Sequence, residues 1–274
     1  MNNDYIISLI KEGKRIDERK LDEYREVKIE YNVSKNAEGS ARCKIGETEV
    51  IVGVKMNTGE PYPDSLDQGV IIVTAELIPL ASPVFELGPP NEWATELARV
   101  VDRGIRESRA IDFKKLCIKE GEKVWTIFLD IYPINDDGNL IDASVLASLA
   151  ALKNAKFPKI ENDKVLYGEL SNEKLKLEKL PVTITLGKIK DKIIVDPNSK
   201  EESALDVRLS ISIYDGNIHA MQKGGNYGIS LEDVETMIDI AIKKEKELQK
   251  VLKWILKFLL NMKKPELLEQ GLCR

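Results

Sequence analysis

The stretch "VWTIFLDIYPINDDGNLIDASVLASLAALKNA", Val124–Ala155, carries the fold in miniature. It begins with an apolar run of strand length, rich in Ile, Phe and Tyr. Four polar residues, "DDGN" from Asp136 to Asn139, then make a turn. The remainder is built from Ala, Ser and Leu, helix-compatible residues small enough to lie close against a sheet. A buried strand thus feeds directly into a helix that covers the same layer. The reading is α+β.

The neighbouring segments extend this pattern. Residues 4–12 give a short amphipathic helix through Ile6, Ile7, Leu9 and Ile10. "VKIEYNV", "GSARCKIGETEVIVGVKM" and "GVIIVTAEL" read as strands, with Val50, Val52 and Val54 alternating against Ile51, Gly53 and Lys55 about a turn at Gly46-Glu47. "NTGEPYPDSLDQG" is a polar loop, and "PLASPVFELGPPNE" is an extended connection stiffened by prolines. A helix follows, with Asn91 as its N-cap and Glu92 near its positive end. The charged, poorly periodic stretch from Lys156 to Lys179 marks a boundary. Beyond it, "PVTITLGKI", "KIIVD", "ALDVRLSISIYD" and "NIHAMQKG" form a second set of strands, and a long helix opens at Ser230, three residues before Asp233. The expected division is 1–165, 180–262 and a tail at 263–274.

Composition narrows the function. The chain has 274 residues, 43% hydrophobic and 32% charged, enough to bury a core and remain soluble. No apolar run reaches the roughly 20 residues of a membrane span, and the start lacks the pattern of a secretion signal. Cys43, Cys117 and Cys273 are scattered without CxxC spacing, which suits a reducing cytoplasm and disfavours a thiolate zinc site. His219 is the only histidine, so a multi-histidine metal site is excluded, and in a hairpin-like strand its role reads as structural. No cofactor, metal or membrane partner is expected. A net charge of -5 rules against general nucleic-acid affinity, so any such contact needs a local basic patch.

"ELARVVDRGIRESR", Glu96–Arg109, offers one. At helical spacing Arg99, Arg103 and Arg106 fall within about 60° of one another, while Leu97, Val100, Val101, Gly104 and Ile105 take the opposite face. Guanidinium groups suit phosphate, so this wall could track a single strand without reading its sequence. Equally, it could pair with Asp102, Glu107 or a partner's carboxylates. "DDGN" could hold an anion at a helix start, but Asp136 and Asp137 would repel one, which favours a plain turn. Asp196, Glu201, Glu202 and Asp206 could bind Mg²⁺ or donate a proton, but read better as a charged loop entering a strand. Asp206 and Arg208, two apart, share a strand face and could pair.

Four stretches, "GKRIDERKLDEYR", "GEPYPDSLDQGVIIV", "PLASPVFELGPPNEWATELARVVDRGIRES" and "WTIFLDIYPINDDGNLIDASVLASLAAL", resemble the RNase PH superfamily, and more narrowly the non-catalytic RNase PH-like subunits of archaeal exosomes. The resemblance runs from about Gly13 to about Leu260. It implies an RNase PH-like fold of two pseudo-symmetric βαβα halves ending in a long helix. It also implies a hexameric ring of three heterodimers with a catalytic sister, RNA-binding cap subunits on one face, and single-stranded RNA shortened from its 3′ end by phosphorolysis. Catalytic members carry a Gly-(Ser/Thr)-Arg phosphate-holding turn; the matching positions here are Gly138, Asn139 and Leu140. Where they carry an acidic residue in a later strand, a gapless match gives Arg208, with Asp206 as a possible imitation, and an arginine pair is replaced by Glu92 and Trp93. The resemblance therefore implies no independent catalysis and assigns RNA-backbone contact to Arg99 and Arg103, with Arg106 in support. The alternative is a self-sufficient phosphate-dependent 3′-to-5′ exoribonuclease.

Overall fold

The computed structural model describes residues 3–161 and 164–262, with side chains as far as residue 252. The chain opens with helix α1 (Asn3–Lys11), whose Ile6 and Ile10 are buried. Strands β1 (Val27–Tyr31), β2 (Gly39–Ile45), β3 (Thr48–Gly59) and β4 (Val70–Ala75) follow. Helix α2 (Glu92–Glu107), a 3₁₀ turn at Phe113–Leu116, β5 (Cys117–Lys119), β6 (Lys123–Asn135) and α3 (Leu140–Asn154) complete the first half. The sheet order is β1-β2-β3-β6-β4 with β5 beside β6. Its pairs are antiparallel except β4 with β6, whose crossover runs through α2.

The second half holds β9 (Val182–Ile189), β10 (Lys192–Val195), a single-turn α4 (Ser199–Glu202), β11 (Val207–Tyr214), β12 (Asn217–Gly224) and α5 (Leu231–Met262), but between the halves β7 (Lys156–Glu161) and β8 (Lys164–Lys174) pair as an antiparallel ribbon. Lys156–Lys179 thus lies between the halves as expected, but it carries a ribbon that the sequence does not announce. Neither face of β8 is buried, so no apolar alternation betrays it, and two register shifts around Pro158 break the period further. The four-stranded sheet runs β10-β9-β11-β12.

Helix α3 joins the halves. Every residue from Ile141 to Leu152 is buried, which explains a composition without an amphipathic stripe. It packs on β2 and β3 on one side and on β9 on the other. The α5 start is capped as expected, with Ser230 Oγ accepting from Asp233 N at 3.1 Å. The expected tail at 263–274 lies outside the described residues. Among the described residues, no helix is long and apolar enough to cross a membrane, and no group of three His, Cys, Asp or Glu is arranged to hold a metal ion.

Candidate nucleic-acid interface

Asn91 caps α2, its side chain accepting from Ala94 N at 2.9 Å. Leu97, Val100, Val101, Gly104 and Ile105 are buried as the spacing requires, which turns the arginines outward. They divide between two clefts, and Arg99 borders both, sharing the one beside β4 with Asp102 and Arg106. Arg99 and Arg103 line a cleft of about 650 Å³ between α2 and the second sheet, floored by Thr183, Ser210 and Ser212 and flanked by Gln222. Arg106 leaves that cleft. It binds Asp102 one turn back at 2.8 Å, reaches the Ile71 carbonyl at 3.3 Å, and lies 5.7 Å from the centre of the Phe113 ring. A spread of about 60° at the Cα level becomes a divergence at the tips of long side chains, and Asp102 with Phe113 pulls Arg106 towards β4.

The two remaining arginines differ. Arg103 meets Glu107 at 3.2 Å, an exposed i,i+4 pair contributing only about 0.3–0.5 kcal/mol and easily surrendered to phosphate. Arg99 has no ion-pair partner among the described residues. Glu96, one turn earlier, is held elsewhere: Arg208 Nη2 donates to it at 2.6 Å and Gln222 Nε2 at 3.0 Å.

The start of α3 lies across Glu96 and Arg208 from this cleft, in a second cavity of about 600 Å³. Gly138 (φ 79°) and Asn139 (φ 58°) make the turn, both in the left-handed region. Part of the donor set of this turn is already used within the chain, and Asp142 N donates to Asn139 Oδ1 at 3.4 Å. Asn139 N donates to Glu202 Oε1 at 2.8 Å and Gly138 N to Asp136 Oδ1 at 3.0 Å. Leu140 adds an apolar side chain to this cavity beside Leu77, Phe85 and Trp93. Burial, reinforced by Asp136, lifts the Glu202 carboxyl to about 7 against the Asn139 N–H and the nearby Arg208 and Arg25. The Glu202 carboxyl therefore takes up one amide of the turn that leads into α3.

The raised Glu202 carboxyl has a measurable consequence. Unfolded, it ionises near 4.3; folded, near 7, so its stabilising effect is complete below pH 4 and lost as pH rises through 7. Glu202→Gln should exceed the wild type in stability at pH 8 by on the order of 2 kcal/mol and match it at pH 4, read by urea denaturation at both values. Equal stabilities at pH 8 would contradict this.

Two further readings need correction. Asp206 and Arg208 do not pair: Asp206 accepts from Lys190 N at 2.6 Å and meets Lys190 Nζ at 3.2 Å, and it lines neither cavity. "DPNSKEESALDVR" is more than a charged loop entering a strand. Asn198 caps α4 in a capping box with Glu201, and the carboxylates are built in. Glu201, fully buried, pairs with buried Arg15. Asp196, also fully buried, accepts from Arg25, Arg19 and Asn139 at 2.7–2.9 Å. Burial would raise the Asp196 carboxyl, but the Arg25 guanidinium outweighs it and holds the group below the ordinary range. Next to it Asp142, which accepts from Tyr24 and Thr185, is lifted by burial to about 6. His219 is half-buried with no partner for its Nε2 among the described residues, and lines neither cavity.

Arg15, Arg19 and Arg25 come from "GKRIDERKLDEYR", and sequence reading missed their role because partners some 170–190 residues away leave no local pattern. Glu96 was also missed, although its i,i+3 spacing to Arg99 was visible.

Sequence models of the 3′ exoribonuclease family match the chain twice, domain 1 over residues 23–158 and domain 2 over 179–244. The exosome complex component Rrp42 of Archaeoglobus fulgidus is 50% identical over 256 residues, covering 93% of this chain and 97% of that protein. The protein of the same name from Pyrococcus horikoshii is 47% identical over 252 residues, covering 90% and 92%. Among solved structures, a chain of the Archaeoglobus fulgidus exosome with RNA bound to the active site superposes with a TM-score of 0.84 at 49% identity, covering 90% of this chain and 96% of that one. A chain of an archaeal exosome core gives 0.82 at 46%, covering 92% and 96%. With both domains matched in order and half the residues identical along nearly the whole length, this chain belongs to the RNase PH family of 3′ exoribonucleases, on its archaeal exosome branch.

Proposed function

We propose that this chain is a non-catalytic, RNA-contacting subunit of an exosome ring. Three copies alternate with three of a catalytic RNase PH-like sister, RNA-binding cap subunits sit on one face, and single-stranded RNA is shortened from its 3′ end by phosphorolysis in the sister. Arg99 and Arg103 grip the RNA backbone beside the sister's site. Arg106, tied to Asp102, has a lesser part. A cytoplasmic location belongs to the same proposal, in keeping with the free thiols of Cys43 and Cys117.

One observation carries the reading. The turn in which catalytic members are expected to carry a phosphate-holding arginine has Leu140 in that place and gives its Asn139 N–H to Glu202, while Arg99, without an ion-pair partner among the described residues, borders an open cleft. The chemistry of holding phosphate is lost and the grip on a polyanion is kept.

The test is Arg99→Glu with Arg103→Glu in the ring assembled with its sister. Each phosphate contact contributes on the order of 1–2 kcal/mol, so retention of oligo-A should weaken at least tenfold while the ring's mass is unchanged. The dependence on salt should also flatten by roughly 0.7 per lost contact in log–log terms. Unchanged retention would overturn the assignment, and loss of assembly without an RNA defect would make the arginines a protein-binding surface.

A further inference from the structure

Arg99 can grip RNA only while Glu96 leaves it alone. The two sit three residues apart on α2, the spacing at which a glutamate and an arginine meet on a helix. Both border the same cleft. Yet no ion pair joins them: Glu96 Oε1 accepts from Arg208 Nη2 at 2.6 Å and from Gln222 Nε2 at 3.0 Å. Among the described residues, Glu96 is the one whose side-chain hydrogen bonds tie α2 to the second sheet.

The hold is built, not incidental. Arg208 lies opposite Gly224 in the β11–β12 register, and its guanidinium rests against that glycine. A Cβ on Gly224 would come within 2.9 Å of Nη2 and 3.1 Å of Nε. A side chain at position 224 would push the tip of Arg208 aside and so shift its aim at α2.

We propose that Arg208, assisted by Gln222 and Gly224, is a positioning residue for RNA binding: by neutralising Glu96 and anchoring its Oε1 towards the second sheet it keeps Arg99 unpaired and available to phosphate. This rests on the assignment of Arg99 and Arg103 as the RNA grip. Without Arg208, Glu96 would do two kinds of harm. It would pair with Arg99, and its unneutralised charge would repel the incoming strand. The arginine at the position where catalytic relatives are expected to carry an acid thus acquires a use.

Four variants in the ring assembled with the sister decide the matter, read as salt-dependent affinity for fluorescent oligo-A. Arg208→Met should weaken binding roughly five- to tenfold and reduce the salt slope by about 0.7, the share of one phosphate on a single strand. Gly224→Ala, which keeps the charge but displaces the fork, should act in the same direction. Glu96→Gln alone should bind as well as wild type or better, because the amide cannot capture Arg99. Arg208→Met with Glu96→Gln should recover to within twofold of wild type. That rescue is the distinguishing result, since a simple brace would be equally broken by either change and not mended by both. Wild-type affinity for Arg208→Met, or a double variant as weak as Arg208→Met, overturns the inference. If Arg99→Glu with Arg103→Glu also leaves affinity intact, the RNA assignment itself has failed, a separate outcome. Thermal unfolding of each variant identifies any that misfold, and Gly224→Ala then carries the test in place of Arg208→Met.

Discussion

Arg15→Met is expected to lower the stability of the chain by about 3–5 kcal/mol, a large part of the roughly 5–15 kcal/mol that holds a domain folded. The guanidinium is fully buried and all five of its donors are used. Nε bonds Glu201 at 2.8 Å, Nη1 the Val195 carbonyl at 2.7 Å, and Nη2 the Asp196 carbonyl at 2.8 Å. Removing it leaves a fully buried Glu201 carboxylate with only the bond from Asn198 N and takes a donor from three carbonyls, those of Glu23, Val195 and Asp196. The pair itself is not the source of the stability. Two desolvated charges roughly break even with an apolar filling, and the damage comes from leaving one of them alone. Arg15→Met with Glu201→Leu should therefore recover most of the loss. Urea titrations with unchanged m-values give the comparison. A loss under 1 kcal/mol for the single variant would mean that Glu201 is not the buried anion described.

The second large effect is expected at Gly138. Its φ of 79° alone would cost an alanine about 1 kcal/mol. A Cβ there would also come within 2.5 Å of Asn198 C and Ser199 N and 2.8 Å of Pro197 O, all of them backbone. The turn must move off the 197–199 segment. That strains the bonds from Thr48 Oγ1 (2.6 Å) and Arg25 Nη2 (3.1 Å) to the Gly138 carbonyl, and the bond from Asn139 N to Glu202. Gly138→Ala should destabilise by at least about 3 kcal/mol. Gly216→Ala is the control: φ is 72°, but nothing lies within 4 Å of the added carbon, so only the conformational cost of about 1 kcal/mol applies. Equal losses at the two sites would show that the close approach at Gly138 is harmless.

Much of the fold can be read directly from particular residues. The alternation of Val50, Val52 and Val54 buries those side chains on β3. The Ala/Ser run of α3 announces a helix enclosed on all sides, and the five apolar residues of α2 set its orientation. Local periodicity carries these signals because one buried face repeats every two or 3.6 residues. The β7–β8 ribbon stays hidden because almost none of it is buried. At the site, the helical spacing correctly turns all three arginines outward, but it cannot register that Phe113 and Asp102 draw Arg106 aside. Nor can it find the Arg15–Glu201, Arg25–Asp196 and Arg208–Glu96 pairs, whose partners are separated by more than a hundred residues. Long-range pairing of charges has no period.

The most direct measurement uses the purified chain without any partner, incubated with oligo-A, orthophosphate and Mg²⁺. Because Glu202 occupies the α3 start and Lys190 holds Asp206, no nucleoside diphosphate should be released, while the same chain combined with its catalytic sister should release it. Nucleoside diphosphate from the chain alone, abolished by Asp206→Asn, would contradict the account and make this subunit an enzyme in its own right.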